Sequence, residues 1–284
     1  MRTHHALVLL AITLTHCSAP TADEPSISES APVIRGRAAQ VIGAHVHDFD
    51  AATAVLGPLE TQRLFHPHAL PSNFAKTPGA KLPAGVQVVI SYKEPTTNVK
   101  DFVASIPADR PVVMIYHHEP EEEYGGNGAK FVAELVDQSA LIRSVAKPNV
   151  KVAMAAMTYQ YDKNRNGQNC SYIPPPSSVD YYLADNYVDT PKVTGLAKDP
   201  EWLGWLACVQ GKGRPLGLAE YGLGTGAGNA VRAQTMLRDN EYLKANFPDF
   251  VMWSYWWVNK GGIEDYKFED AAAIQAWKTI SRGQ

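Results

Sequence analysis

From residue 41 onward the chain alternates between short β-branched or apolar runs and longer stretches with helical periodicity. The runs cover residues 41–47, 61–66, 86–92, 111–117, 150–158, 179–186, 215–220 and 250–256, and most end in polar or aromatic side chains. Buried parallel strands read this way, because helices cover the outside of the sheet and side chains fill the inside. Helical spacing of apolar residues is clearest in 129–145, 230–245 and 269–280. A shorter helix is predicted over 200–209, with Asp199 as its N-cap. The connections after the first two runs are short and contain Gly57-Pro58 and Pro71, so brief or irregular helices are expected there.

Strand and helix alternating eight times over roughly 245 residues predict an α/β fold, a single-domain (β/α)8 barrel over residues 39–284, since about 250 residues is typical of that fold. An open doubly wound sheet is the alternative. Its first strand would lead into a Gly-rich phosphate loop, and that place holds Gly43-Ala44-His45-Val46-His47-Asp48. In a barrel the functional residues sit at the C-terminal ends of the strands.

Composition narrows the ligand. The chain has 284 residues, 45% of them hydrophobic and 19% charged, which suits a globular protein with a large core. The formal net charge is −3 and no basic stripe is visible, so nucleic acid is not an expected partner. A neutral polysaccharide or oligosaccharide fits better, and a monomer is expected.

The first forty residues point to export. Arg2 precedes an apolar run over 6–14 that is too short to span a bilayer and reads as the core of a signal peptide, residues 1–17. Leu14-Thr15-His16-Cys17 resembles a bacterial lipoprotein box, with His16 where a small residue normally precedes the cysteine. Lipidation of Cys17 would tether the protein to a membrane, and ordinary cleavage nearby would secrete it. Residues 18–38 are rich in Ser, Pro, Ala and acid, as in a disordered tether. The expectation is an exported bacterial protein, secreted or a cell-surface lipoprotein. In an oxidising compartment Cys170 and Cys208 can form a disulfide, the alternative being two buried thiols. No histidine follows His118 to activate a cysteine, and no CxxC pair suggests zinc.

The strand ends hold the candidate chemistry. In order they present His45, His47 and Asp48; Arg63 and His66; Tyr92, Lys93 and Glu94; His117, His118 and Glu119; Thr158, Tyr159 and Tyr161; Asp185, Asn186 and Tyr187; Glu220 and Tyr221; and Trp253, Tyr255, Trp256 and Trp257. Glu119 and Glu220 each close an apolar run, VVMIYHHEP and PLGLAEYG. A carboxylate there loses solvation unless it is paired or used. Strands 4 and 7 face each other across part of the mouth, so these two carboxylates can flank a glycosidic bond. A separation of about 5–5.5 Å gives retention of configuration, and about 6.5–9.5 Å gives inversion. The alternative is a structural ion pair for each, with Arg63 or Lys93.

Glutamates ending strands 4 and 7 resemble the pattern of glycoside hydrolase clan A, whose members are retaining barrel enzymes without a metal. Most of its families have Asn-Glu at the acid/base. His118-Glu119-Pro120 is similar instead to glycoside hydrolase family 26, the β-mannanases, although that family commonly continues Glu-Met-Asn-Gly. The resemblance implies a retaining O-glycoside hydrolase that needs no cofactor, with a β-mannan-like substrate as the first expectation. It assigns Glu119 as acid/base and Glu220 as nucleophile. His118 would bind near the nucleophile or the sugar, Tyr187 or Tyr221 would hold the nucleophile, and Arg63 could orient it. Trp253 or Trp256 would stack on a sugar ring, while Trp202 and Trp205 are expected in the core. His45, His47 and Asn186 would line the mouth.

Two other readings stand beside this one. His45-Val46-His47 resembles the His-x-His of metal-dependent amidohydrolases, but those sites also take histidines from strands 5 and 6 and Asp from strand 8, which this chain lacks. A non-catalytic carbohydrate-binding barrel is the second.

Overall fold

A computed structural model describes residues 40–164, 169–189, 191, 194–258 and 265–283. The expected signal peptide, the tether and Cys17 lie outside the described residues. The eight apolar runs form eight strands: β1 (Val41–His45), β2 (Thr61–His66), β3 (Gln87–Tyr92), β4 (Val112–Tyr116), β5 (Val150–Met157), β6 (Tyr181–Val188), β7 (Leu216–Leu223) and β8 (Met252–Trp256). Each pairs in parallel with the next, and β8 pairs with β1 to close the barrel. Around it lie α1 (Phe49–Leu56), α2 (Val99–Ala104), α3 (Pro120–Glu123), α4 (Gly128–Arg143), α5 (Pro200–Val209), α6 (Asn229–Asn246) and α7 (Ala271–Ser281). The fold is a (β/α)8 TIM barrel, as the run pattern predicts.

Local chemistry explains the element ends. Asp199 caps α5 by accepting from the Glu201 N–H at 3.0 Å, and Asp48 caps α1 by accepting from Ala51 at 2.9 Å. The connection after β2, which contains Pro71, forms only two short 3-10 turns, Phe74–Lys76 and Pro78–Lys81. Inside the barrel Val89, Val113, Ile115, Ala153, Ala155, Leu183, Ala219 and Met252 form an apolar plug. Gly43 lets β1 approach β2, because a Cβ there would lie 2.2 Å from the Thr61 carbonyl oxygen.

One irregularity decides what the mouth contains. Ala184 pairs with Leu218, but Asp185 pairs with Glu220, so β7 carries an extra residue. The same offset appears against β8, where Leu218 pairs with Trp253 and Tyr221 with Tyr255. Strict alternation from Ala219, which faces inward, would turn Glu220 outward. The bulge instead leaves both Ala219 and Glu220 on the inner face and Leu218 and Tyr221 on the outer one.

The wall beside β5 and β6 is built by α5 and the turn Thr158–Tyr161. Gly204 allows that packing, since a Cβ would lie 2.0 Å from the Tyr161 carbonyl oxygen. A Cys170–Cys208 disulfide, with 5.4 Å between the Cα atoms, ties the loop after β5 to α5.

Candidate active site

An arginine stands above the apolar plug. Arg63 points inward from β2 and is fully buried. Its Nη1 lies 2.7 Å from Asp185 Oδ1 and 2.8 Å from Glu220 Oε1. Its Nη2 donates to Asp185 Oδ2 and to Ser91 Oγ, both at 3.3 Å. Phe65 covers the guanidinium, with its ring centre 4.8 Å from the central carbon. A buried cation is tolerated only when paired in this way. Burial works against the charge of Arg63, but Asp185 and then Glu220 outweigh it and hold its pKa above the ordinary value.

Glu119 completes the cluster. One carboxylate oxygen from each of Glu119, Asp185 and Glu220 lies within 4.8 Å of the others. Burial first and Asp185 second push the Glu119 carboxyl up to about 8, against the opposing pull of Arg63. Burial likewise raises Asp185, which Arg63 draws back down. One guanidinium cannot balance three clustered carboxylates, two of them buried, so a proton is retained, and Glu119 is the group suited to hold it near neutral pH.

The chain turns sharply at the end of β4. His117 and Glu119 both adopt left-handed backbone, at φ 49° and 52°, a costly conformation outside glycine. The N–H of His117 still donates to Tyr92 at 2.7 Å and that of Glu119 to Ala155 at 3.1 Å, so both neighbouring strands hold the turn. Pro120 then starts α3, and the three glutamates of that helix part company. Glu121 is buried, accepts from the Tyr161 hydroxyl at 2.8 Å, and is pushed up to about 7 by burial. Glu122 lines the cleft. Glu123 turns away to Lys93 and to His117 Nε2, 3.1 Å from its Oε2.

Above the cluster lies a cleft of about 1100 Å³. One side is aromatic. Trp256 stacks on His45, with ring centres 4.3 Å apart and planes at 20°. Phe65 and Tyr187 meet Trp256 edge-on at 5.7 and 6.1 Å, and Phe65 meets His118 at 5.0 Å. His45 Nδ1 lies 3.0 Å from the Arg63 carbonyl oxygen. Burial, then Arg63, lowers His118 to about 2, and burial lowers His45 to about 4, so both rings are neutral above pH 5. Around β5 and β6 the lining is more polar, with Met157, Tyr159, Asp162, Asp199 and Glu201.

The candidates named from the sequence therefore divide. Glu119, Glu220, Arg63, His118, Tyr187, Trp256 and His45 gather at the mouth. Tyr221 and Trp253 do not: both are fully buried behind the barrel wall. The Tyr221 hydroxyl donates to Asp239 on α6 at 2.5 Å, and Trp253 packs edge-on against Tyr221 and against Trp277 on α7. They are core residues, because the bulge and strand alternation turn them outward, and neither can hold the nucleophile or meet a sugar. Asn186 is also buried, donating to Thr158 Oγ1 and Asp199 Oδ2 at 2.9 Å, so it supports the wall and does not line the cleft. His47 is exposed outside the cleft, since alternation ends with β1.

The rings of His45 and His47 meet edge to face with centres 6.1 Å apart, but among the described residues no third ligand joins them. Among the described residues, the acidic or histidine cluster compact enough for a cation is Glu119, Asp185 and Glu220, and the Arg63 guanidinium already fills the space between two of these. Asp185 had no assigned role in the sequence. Its signal was indirect: an arginine inside the run TQRLF requires a buried carboxylate opposite, and Asp185 shares its strand face with Tyr187.

No protein-family model matches the chain, and no curated protein sequence matches it. Solved structures do resemble it. An endo-β-1,3-glucanase of glycoside hydrolase family 128, subgroup I, from Amycolatopsis mediterranei, in complex with laminaritriose, is 12% identical with a TM-score of 0.53, over 85% of this chain and 98% of that one. A subgroup II endo-β-1,3-glucanase from Sorangium cellulosum is 14% identical with a TM-score of 0.55, over 84% and 98%. A modular family 26 endo-β-1,4-mannanase from Cellulomonas fimi is 13% identical with a TM-score of 0.54, over 85% and 70%. At such identities the likeness establishes the shared fold.

Proposed function

We propose that the protein is an exported, retaining glycoside hydrolase acting on a neutral β-glycan, with a β-1,3-glucan or a β-mannan as the substrate to try first. The observation that carries this reading is the approach of the Glu119 and Glu220 carboxylates to within 4.8 Å. An approach that close between carboxylate oxygens is nearer the spacing of about 5–5.5 Å that suits direct attack than the roughly 6.5–9.5 Å of an inverting pair. The names of the similar structures, β-1,3-glucanases and a β-mannanase, support the choice of substrates. The apolar run over 6–14 and the disulfide support export.

The chemistry follows from the protonation states. Glu119, protonated near neutral pH, donates to the leaving oxygen while a Glu220 oxygen attacks the anomeric carbon. The glycosidic C–O bond breaks as the glycosyl ester forms. Glu119, now anionic, takes a proton from water, whose oxygen attacks the anomeric carbon and releases Glu220. Arg63 orients the nucleophile, and Trp256, braced by His45 and Tyr187, offers a flat face for a sugar ring.

The test is turnover of laminarin, mannan and aryl β-glycosides, with the anomeric configuration of the first product followed by proton NMR. Retention is the expected result. Inversion, or no hydrolysis of any glycan, overturns the reading.

A further inference from the structure

We propose that Asp185 is a positioning residue for this reaction: it is the permanent counter-ion of Arg63, so that the guanidinium is shared with Glu220 only while Glu220 carries charge. The inference rests on the reading above and assigns a third carboxylate to the same site.

The geometry joins both carboxylates to one guanidinium. Asp185 takes Arg63 through both oxygens, at 2.7 and 3.3 Å, and Glu220 Oε1 meets the same Nη1 at 2.8 Å. Asp185 is fully buried and its backbone carbonyl accepts from the Thr158 hydroxyl at 3.2 Å, so its strand is held independently of the nucleophile. The β7 bulge starts opposite Asp185 and brings Glu220 to it. Two different elements thus deliver two carboxylates to one Nη1.

Consider the charge through the cycle. When Glu220 attacks, its negative charge passes to the leaving group, and Glu119 supplies the proton that neutralises it. Glu220 becomes a neutral ester. A buried arginine touching only the nucleophile would then keep no contacting anion, with the newly charged Glu119 left nearby in the cluster. It would resist formation of the ester. With Asp185 in place, the guanidinium remains paired when Glu220 is esterified, and Glu220 regains the shared contact when water releases it.

The same arrangement acts on Glu119. The charged and titratable groups facing it are Asp185 from β6, Arg63 from β2, and Glu121 and Glu122 from α3; Glu220 lies within the same 4.8 Å cluster. Without Asp185, Arg63 would exert its full pull on Glu119 and the acid would lose its proton at lower pH.

Asp185→Asn and Asp185→Glu, each checked by thermal unfolding, test this in two ways. In the resting protein, carbon-13 NMR titration of the Glu119 carboxyl, assigned by its loss in Glu119→Gln, should show the midpoint falling by about one pH unit or more in Asp185→Asn. It should return toward the wild-type value in Asp185→Glu. With an aryl glycoside, the alkaline limb of kcat/KM should shift by the same amount and direction. An unmoved midpoint overturns the proposal. The titration needs no turnover, so it stands even if no glycan is hydrolysed, in which case the functional reading alone fails. Should Asp185→Asn not fold, the wild-type glycosyl-enzyme trapped with a 2-fluoro sugar decides. Its crystal structure should keep the Arg63–Asp185 pair while the Glu220 contact opens, and an Arg63 drawn away from Asp185 refutes the idea.

Discussion

Trp253 and Trp256 stand three residues apart on one strand and face opposite sides of the barrel wall. Trp253 is fully buried against Tyr221 and Trp277, whereas Trp256 stacks on His45 and lines the cleft. Their alanine variants should therefore fail differently. Trp253→Ala should cost about 3–5 kcal/mol of stability through a core cavity. At roughly 2–4 °C per kcal/mol for a domain of this size, its Tm should fall by about 6–20 °C. Trp256→Ala should lose little stability but raise KM, by roughly five-fold if the sugar contact contributes about 1 kcal/mol. Thermal unfolding and steady-state kinetics on the pair check this. Equal KM effects would remove Trp256 from the substrate platform.

The two carboxylates should separate by leaving group. Glu119→Gln removes proton donation, so hydrolysis of a glycan, with its poor leaving group, should drop by about 10²–10⁴-fold. An aryl glycoside with an acidic phenol needs less protonation and should be affected much less in its first step. Glu220→Ala should abolish both. Azide should restore turnover in Glu220→Ala by attacking from the vacated side, giving a glycosyl azide of inverted configuration. A Glu220→Ala enzyme that hydrolyses aryl glycosides without azide sinks the nucleophile assignment.

Much of this was legible from hydrophobic pattern alone, for a physical reason. Strands such as VVMIY are apolar on both faces because both are covered, and their number and spacing specify the barrel. The strand ends then located Glu119 and Glu220. What the pattern could not reveal was facing. Tyr221 follows Glu220 directly, and alternation alone would have sent the tyrosine inward and the glutamate out. The β7 bulge reverses this, and no glycine or proline in 218–221 announces it. Asp185 was hidden for a related reason, since its importance lies in a partner 122 residues away.

The disulfide makes a separate prediction. It closes a segment with a sequence separation of 38 between the loop after β5 and α5. Chain-entropy arguments give about 4 kcal/mol for a loop of that length. Cys170→Ser together with Cys208→Ser should lower Tm accordingly. Because this link ties the wall carrying Asp199 and Glu201, KM for a long glycan should rise more than KM for an aryl monosaccharide. Equal changes for both substrates would show that the link stabilises the fold without shaping the wall.

Protonation of Glu119 links stability to activity. Its carboxyl rises from the ordinary 4.5 to about 8 in the folded protein, burial being the main cause. A group whose pKa is raised on folding favours the native state below its unfolded pKa and loses that contribution as pH climbs through the folded value. With respect to this residue, wild-type stability should decline between about pH 4.5 and pH 8 and level off beyond. Glu119→Gln keeps the shape and hydrogen-bonding capacity but cannot ionise. The variant should unfold near the wild-type temperature at pH 4–4.5 and increasingly above it toward pH 8, with Glu121 and Asp239 cancelling because both proteins retain them. Wild-type kcat/KM should fall over the upper part of the same window, as the acid loses its proton. Thermal unfolding from pH 4 to 9 with the pH profile of kcat/KM measures both. A Tm difference independent of pH would mean that Glu119 is ionised at neutral pH, and its role as proton donor would fall with it.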